Sequence, residues 1–253
     1  MGPGRGLPTM IAAGVTLFAV LLVVGTSDVS GKLRSVLDFG REPQGSVPLL
    51  PESDGSFAFM QTQKGKPKVP IAYDPCRKIE LVINPEGAPD GYREYVETAA
   101  DHVSDASGLK FTIRGTTDER PSTTRPAEDD ERYGAGWSPV LVAWSDNDEM
   151  SELAGDVAGL AGSAAATVFG KRVYVTGSVT LDREDFDRML GRPEGREQAQ
   201  AIIDHEFGHL VGLDHVKDAR ELMHIANTGR TAWGPGDKAG LSRLGRGPCV
   251  PSF

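Results

Sequence analysis

The run His205-Glu206-Phe207-Gly208-His209-Leu210-Val211-Gly212-Leu213-Asp214-His215 leaves this chain fewer choices than any other stretch. Two histidines four residues apart on a helix lie one turn above each other, so both imidazoles can grip one ion from the same face. Glu206 then falls beside such an ion, where a general base for a metal-activated water belongs. Gly212 can take the left-handed conformation that ends a helix, which turns the chain back and lets His215 reach the same ion. Three protein ligands with an open fourth position are the pattern of a catalytic zinc site. A polarised carbonyl next to a carboxylate base is chemistry suited to hydrolysing peptide bonds. Of the five histidines in the chain, four (His205, His209, His215 and His224) fall within one short segment, and such clustering of a scarce ligand favours a metal.

The whole pattern H-E-x-x-H-x-x-G-x-x-H, followed by Leu222-Met223-His224 where a methionine turn belongs, resembles the metzincin zinc metalloproteases. Within them, His-Glu-Phe-Gly-His and the adjoining Gly212-Leu213-Asp214-His215 are most similar to the matrixin, or matrix metalloprotease, branch. Asp237-Lys238-Ala239-Gly240-Leu241 with Leu244-Gly245 is similar to the last helix of matrixin catalytic domains. The resemblance implies one catalytic Zn2+ held by His205, His209 and His215, Glu206 as general base, Met223 as an apolar floor, and a protein or peptide substrate. It implies an α/β (α+β) metzincin-like domain: a twisted, mixed, five-stranded sheet with two long helices, then an irregular C-terminal subdomain ending in a helix. Astacin-type relatives carry a tyrosine ligand two residues after the methionine. Ile225 stands there, so the expected ligand set is three histidines and water. Matrixin pro-regions block the zinc with a cysteine, and residues 28–65 contain none.

A length of 253 residues, 39% of them hydrophobic, fits one ordinary globular domain with appendages, expected to be a monomer. The net charge of −9 argues against nucleic acid as a partner. Gly6 to Ser27 carries no charge, and Met10 to Val24 is almost wholly apolar, with Arg5 before it and Asp28 after. Residues 1–27 therefore read as a signal peptide or a single-pass membrane anchor. Either puts the catalytic part outside the cytoplasm, secreted or anchored. Residues 28–65 read as a linker or short pro-segment, and 66–253 as the catalytic domain. Cys76 and Cys249 are the only cysteines, and in an oxidising compartment they can pair in one way, tying the two ends of that domain together. The rival is Cys76 as a free thiol capping the zinc.

Along the chain, Lys78 to Asn84 alternates as a first strand, and a helix runs from about Asp90 to Gly108. Leu109, Phe111 and Ile113 make a second strand, parallel to the first by the βαβ order. His102 on that helix reads as a surface histidine, with a second metal as the alternative. Residues 115–138 read as a long polar loop. There Glu128, Asp129, Asp130 and Glu131 form either a solvated acidic run or a structural Ca2+ site. Pro139 to Trp144 is a strand buried on both faces. Ala158 to Phe169 and Lys171 to Thr176 form a hairpin about Gly170. By resemblance its first arm is the edge strand above the active-site helix, pairing with the substrate backbone. The motif helix starts near Glu194, after Pro193. His224 is a wall of the substrate pocket or a transition-state donor, and Asn227 to Pro235 is the loop lining that pocket.

Three functions fit these residues: an exported zinc endopeptidase, a dedicated processing protease for one partner at a membrane surface, or a zinc-binding domain without turnover. The last would be marked by a replaced Glu206 or a lost ligand, and neither is so.

Overall fold

The computed structural model describes residues 41–50 and 54–250. In chain order its elements are strands β1 (Ala58–Phe59), β2 (Thr62–Gln63), β3 (Lys66–Pro70) and β4 (Lys78–Ile83), helix α1 (Tyr92–Ser107), strand β5 (Lys110–Thr116), a short helix α2 (Asp130–Tyr133) and strand β6 (Val140–Ser145). A 3-10 turn (Ser151–Leu153) leads to strands β7 (Gly159–Val168) and β8 (Lys171–Asp182), helices α3 (Arg183–Leu190) and α4 (Gly195–Val211), strand β9 (Leu213–Asp214) and helix α5 (Pro235–Leu244).

Five strands make one mixed sheet in the order β5-β4-β6-β8-β7. β4 pairs parallel with β5 and β6, β6 pairs parallel with β8, and β7 alone runs antiparallel. Parallel neighbours need a crossover. α1 supplies it between β4 and β5, and Gly108 ends that helix at φ 79°, a left-handed residue that turns the chain into β5. All six residues of β6 are buried, as a run without alternation requires in mid-sheet. The two faces are nevertheless distinct. Val140, Val142 and Trp144 join Leu81, Ile83, Val96, Val103, Phe207 and Leu210 in the main core beneath α1 and α4. Leu141, Ala143 and Val82 point the other way and pack with Tyr133 of α2.

Residues 117–139 therefore cover the second face of the sheet. Arg125 fastens this cover: it pairs with Glu119 and donates to the carbonyls of Pro139 and Gly177. Stranding either charge by removing its partner would cost roughly 3–5 kcal/mol. β8 runs on to Asp182, past the expected end at Thr176. Gly177 does not break it, because a Cβ there would lie 2.4 Å from the Gly162 carbonyl oxygen and 2.9 Å from Leu210, so glycine is what lets the hairpin and α4 approach.

The largest departure from the expected layout lies ahead of residue 66. Residues 42–250 form one compact unit, so the stretch expected to be a linker belongs, from Glu42 on, to the domain itself. β1 pairs antiparallel with β9, and the Met60 N–H donates to the Gly212 carbonyl. Phe57 lies under the Arg243 guanidinium and against Gly240 of α5. A two-residue strand has no period to read, and its partner is more than 150 residues away.

Cys76 and Cys249 form a disulfide, which removes the free-thiol alternative for Cys76. Among the described residues no helix is long and apolar enough to cross a membrane. The signal or anchor expected at 1–27 lies outside the described residues.

Candidate metal centre

α4 buries Ala199, Ile203, Phe207, Leu210 and Val211 in the core, which turns His205 and His209 toward a cleft. Gly212 ends the helix at φ 120°, its N–H donating to the carbonyls of Gly208 and His209. The chain reverses into β9 and delivers His215. The His215 Nε2 lies 3.1 Å from Nε2 of His205 and 3.1 Å from Nε2 of His209.

Tautomers follow from the surroundings. His205 Nδ1 lies 2.8 Å from the Leu222 carbonyl and His209 Nδ1 lies 2.9 Å from the Leu213 carbonyl. A carbonyl only accepts, so both Nδ1 atoms carry the proton and both Nε2 atoms present lone pairs. A single N–H on His215 could satisfy only one of them. A cation satisfies all three: tetrahedral zinc at its usual distance from imidazole sets ligand nitrogens about 3.3 Å apart, close to the spacing here. Burial, reinforced by the neighbouring His209, lowers His205 to about 4, and burial likewise lowers His209 to about 4. The rings are therefore neutral near pH 7, as ligands must be. His215 is lowered too, mainly by burial.

Glu206 shares the cleft, a cavity of about 760 Å³. Its Oε2 is buried without a hydrogen-bond partner, and burial alone pushes the carboxyl up to about 8. A buried, unpartnered carboxylate beside three converging lone pairs is a donor set that fits a divalent cation.

Met223 is buried under the helix. A Cβ on Gly208 would come within 2.7 Å of the Met223 sulfur and 3.0 Å of Trp233, so the glycine between the first two histidines is set by packing. Val216 and His224 bridge as parallel neighbours, closing the turn below His215. Asp237, in the first turn of α5, accepts from the N–H groups of Leu222, Met223 and Gly234. The Leu222 carbonyl in turn receives the His205 Nδ1 proton, so Asp237 reaches the first histidine through one peptide. Burial, the largest influence, raises Asp237 to about 6. Sequence reasoning missed this role, although an acid in the first turn of a proline-led helix is a capping signal.

The remaining expectations divide. Ile225 and residues 227–231 line the cleft with His224, whereas Trp233 is buried in the core. His224 Nδ1 is engaged by the Ala226 backbone. His102 is exposed at the surface, as expected, and its Nδ1 lies 2.8 Å from the buried Asp204 carboxylate; it is not one of the clustered histidines. Asp129 caps α2 and pairs with Arg132. Among the described residues the three histidines are the one cluster with free ligand atoms, because the cysteines beside Asp74 are bonded to each other; residues 128–131 form no such cluster of three ligand atoms. Met60 and Gly159, both in the cleft wall, had no signal beyond their neighbours in sequence.

Comparison with known proteins finds no family model that matches the chain and no curated protein that matches it. Among solved structures it is similar to the GM1-bound form of the ECX AB5 holotoxin, with 13% identity, TM-score 0.41, and coverage of 80% of this chain and 95% of that one. It is also similar to archaemetzincin from Methanopyrus kandleri, with 16% identity, TM-score 0.36, and coverage of 70% of this chain and 89% of that one. Both overlaps are too loose to carry an argument about function, which rests on the site itself.

Proposed function

We propose that this protein is a zinc-dependent endopeptidase of metzincin-like, matrixin-like type, acting outside the cytoplasm on protein or peptide substrates. The observation that carries this reading is the convergence of the His205, His209 and His215 Nε2 atoms in a cleft shared with the unpartnered Glu206 carboxylate. A zinc ion held by these imidazoles would polarise a scissile carbonyl and acidify water beside it. Glu206 takes the proton of the attacking water and returns it to the departing amine. A carboxyl raised by burial toward neutrality suits both halves of that transfer. Among the described residues β7 is paired with β8 on one side only, and its first residues, Gly159 to Ala161, run along the cleft. Small side chains leave that edge open to a peptide added as one more strand. The disulfide suits an oxidising compartment.

The test is to incubate the zinc-loaded full chain with a peptide library and map the cuts, alongside a chelated sample and Glu206→Gln. The variant should keep zinc and fold while hydrolysis falls on the order of 10^2 to 10^4. Undiminished cutting by the variant would require another base and would sink this mechanism.

A further inference from the structure

We infer that the paired hairpins β2–β3 and β7–β8 form a docking surface for an anionic phospholipid bilayer. This inference is independent of the chemistry in the cleft.

The two hairpins clasp each other. The Gln63 side chain donates to the Arg172 carbonyl at 2.6 Å and accepts from the Arg172 N–H at 3.1 Å. Through that clasp and the pairing of Gln63 with Lys66, the exposed Lys64, Lys66, Lys171 and Arg172 become neighbours, with exposed Lys68 two residues further along β3. None of the five forms an ion pair among the described residues. Residues 57–73 and 157–181 contain no Asp or Glu at all, although acids make up about one residue in seven of the chain. On a protein with a net charge of −9, this is a local reversal of sign. The hairpin tip adds an apolar component: Phe169 is 70% exposed at φ 47°, immediately before Gly170 and the two cations, and Val69 is 46% exposed beside Lys68.

A projecting aromatic ringed by unpaired cations suits the headgroup boundary of a bilayer, where the ring enters the apolar edge and the long side chains meet lipid phosphates. A tip of this shape does not offer the broad flat face that a stable protein partner needs. Nucleic acid would meet the repulsion of the remaining surface. The ten residues of β7 hold Gly159 roughly 30 Å from the tip, so the cleft stays clear of a docked surface.

Met10 to Val24 could by itself hold the full chain on lipid, so the readout must be local to the tip. Phe169→Trp in the full chain provides one, read as quenching by brominated lipid in vesicles of phosphatidylcholine alone and of equal parts phosphatidylcholine and phosphatidylglycerol. Quenching beyond that of the parent's own tryptophans is expected only with phosphatidylglycerol, and it should be lost at about 1 M salt. Neutralising three cations (Lys64→Gln, Lys66→Gln, Lys68→Gln) should weaken the docking on the order of a hundredfold, with melting unchanged. Phe169→Asp, tested by vesicle-dependent protection of the tip from proteolysis, should do the same without touching the lysines. Equal quenching on neutral vesicles, none on either, self-association through the patch, or preferred binding to heparin or duplex DNA would overturn the inference.

Discussion

The backbone of Gly159 lies against the Glu206 side chain, so close that a Cβ at 159 would stand 2.8 Å from Cγ and 3.0 Å from Cδ. The edge strand thus sets where the carboxylate can be. Gly159→Ala is expected to push Glu206 aside while leaving the three histidines in place. A shift of about 1 Å in a catalytic group costs on the order of 10^2 in rate, so kcat should fall by about that factor with zinc content unchanged. A variant with full kcat would show that the carboxylate has freedom the packing denies it.

His215 is exposed, and its N–H is held by the Asp214 carboxylate, so replacing its ring should leave the core intact. Zinc at about a thousandfold over its Kd should stabilise the wild-type protein by about 4 kcal/mol. In His215→Ala that gain should largely vanish, because one of three ligands is gone. Denaturant midpoints with and without zinc, together with metal content, decide the matter. Equal gains in both proteins would remove His215 from the ligand set.

Asp237 titrates at about 6 in the folded protein against 3.8 when free, mainly through burial. A carboxyl raised on folding holds its proton more tightly in the native state. Its share of stability is therefore complete below about pH 4 and drains away as the pH rises to about 6, by roughly 3 kcal/mol. Buried histidines titrate in the opposite sense over the same range, so the useful quantity is the difference between wild type and Asp237→Asn. That difference in unfolding free energy should move against the wild type between pH 4 and 6 and stay level above. A flat difference would mean that burial and the three backbone donors cancel.

The Cys76–Cys249 bridge joins residues 173 apart, nearly the whole domain. Chain-entropy reasoning sets a ceiling of about 5 kcal/mol for its contribution. Replacing both cysteines with serine should lower the denaturant midpoint, and the unreduced, unfolded wild type should show no titratable thiol. Two reactive thiols would contradict the bridge.

How much the sequence disclosed tracks how local each cause is. The parallel β4–α1–β5 unit, the buried β6 and the histidine helix ending at Gly212 all come from patterns complete within about forty residues. So do the stacking of His205 above His209 and the chain reversal at Gly212, because helix spacing and one left-handed glycine set them. The rest depends on partners far away in sequence. Gly208 reads as a spacer until Met223 and Trp233 are seen against it. Gly159 is one more glycine in a glycine-rich strand until Glu206 meets it. Asp237 looks like an ordinary cap until its carboxylate is found under Leu222. α3 escapes a reading of periodicity because eight residues between a strand and a proline give too few turns for a period to show.

The pairing of Ala58 with Asp214 also bears on the order in which the site is assembled. Contacts this distant in sequence form late, because the long loop must close before any bond repays it. His205 and His209 share one helix and can be side by side as soon as α4 winds. The third histidine comes after a strand whose partner lies near the opposite end of the chain. The three Nε2 atoms should therefore come together only once β1 has paired with β9, late in folding.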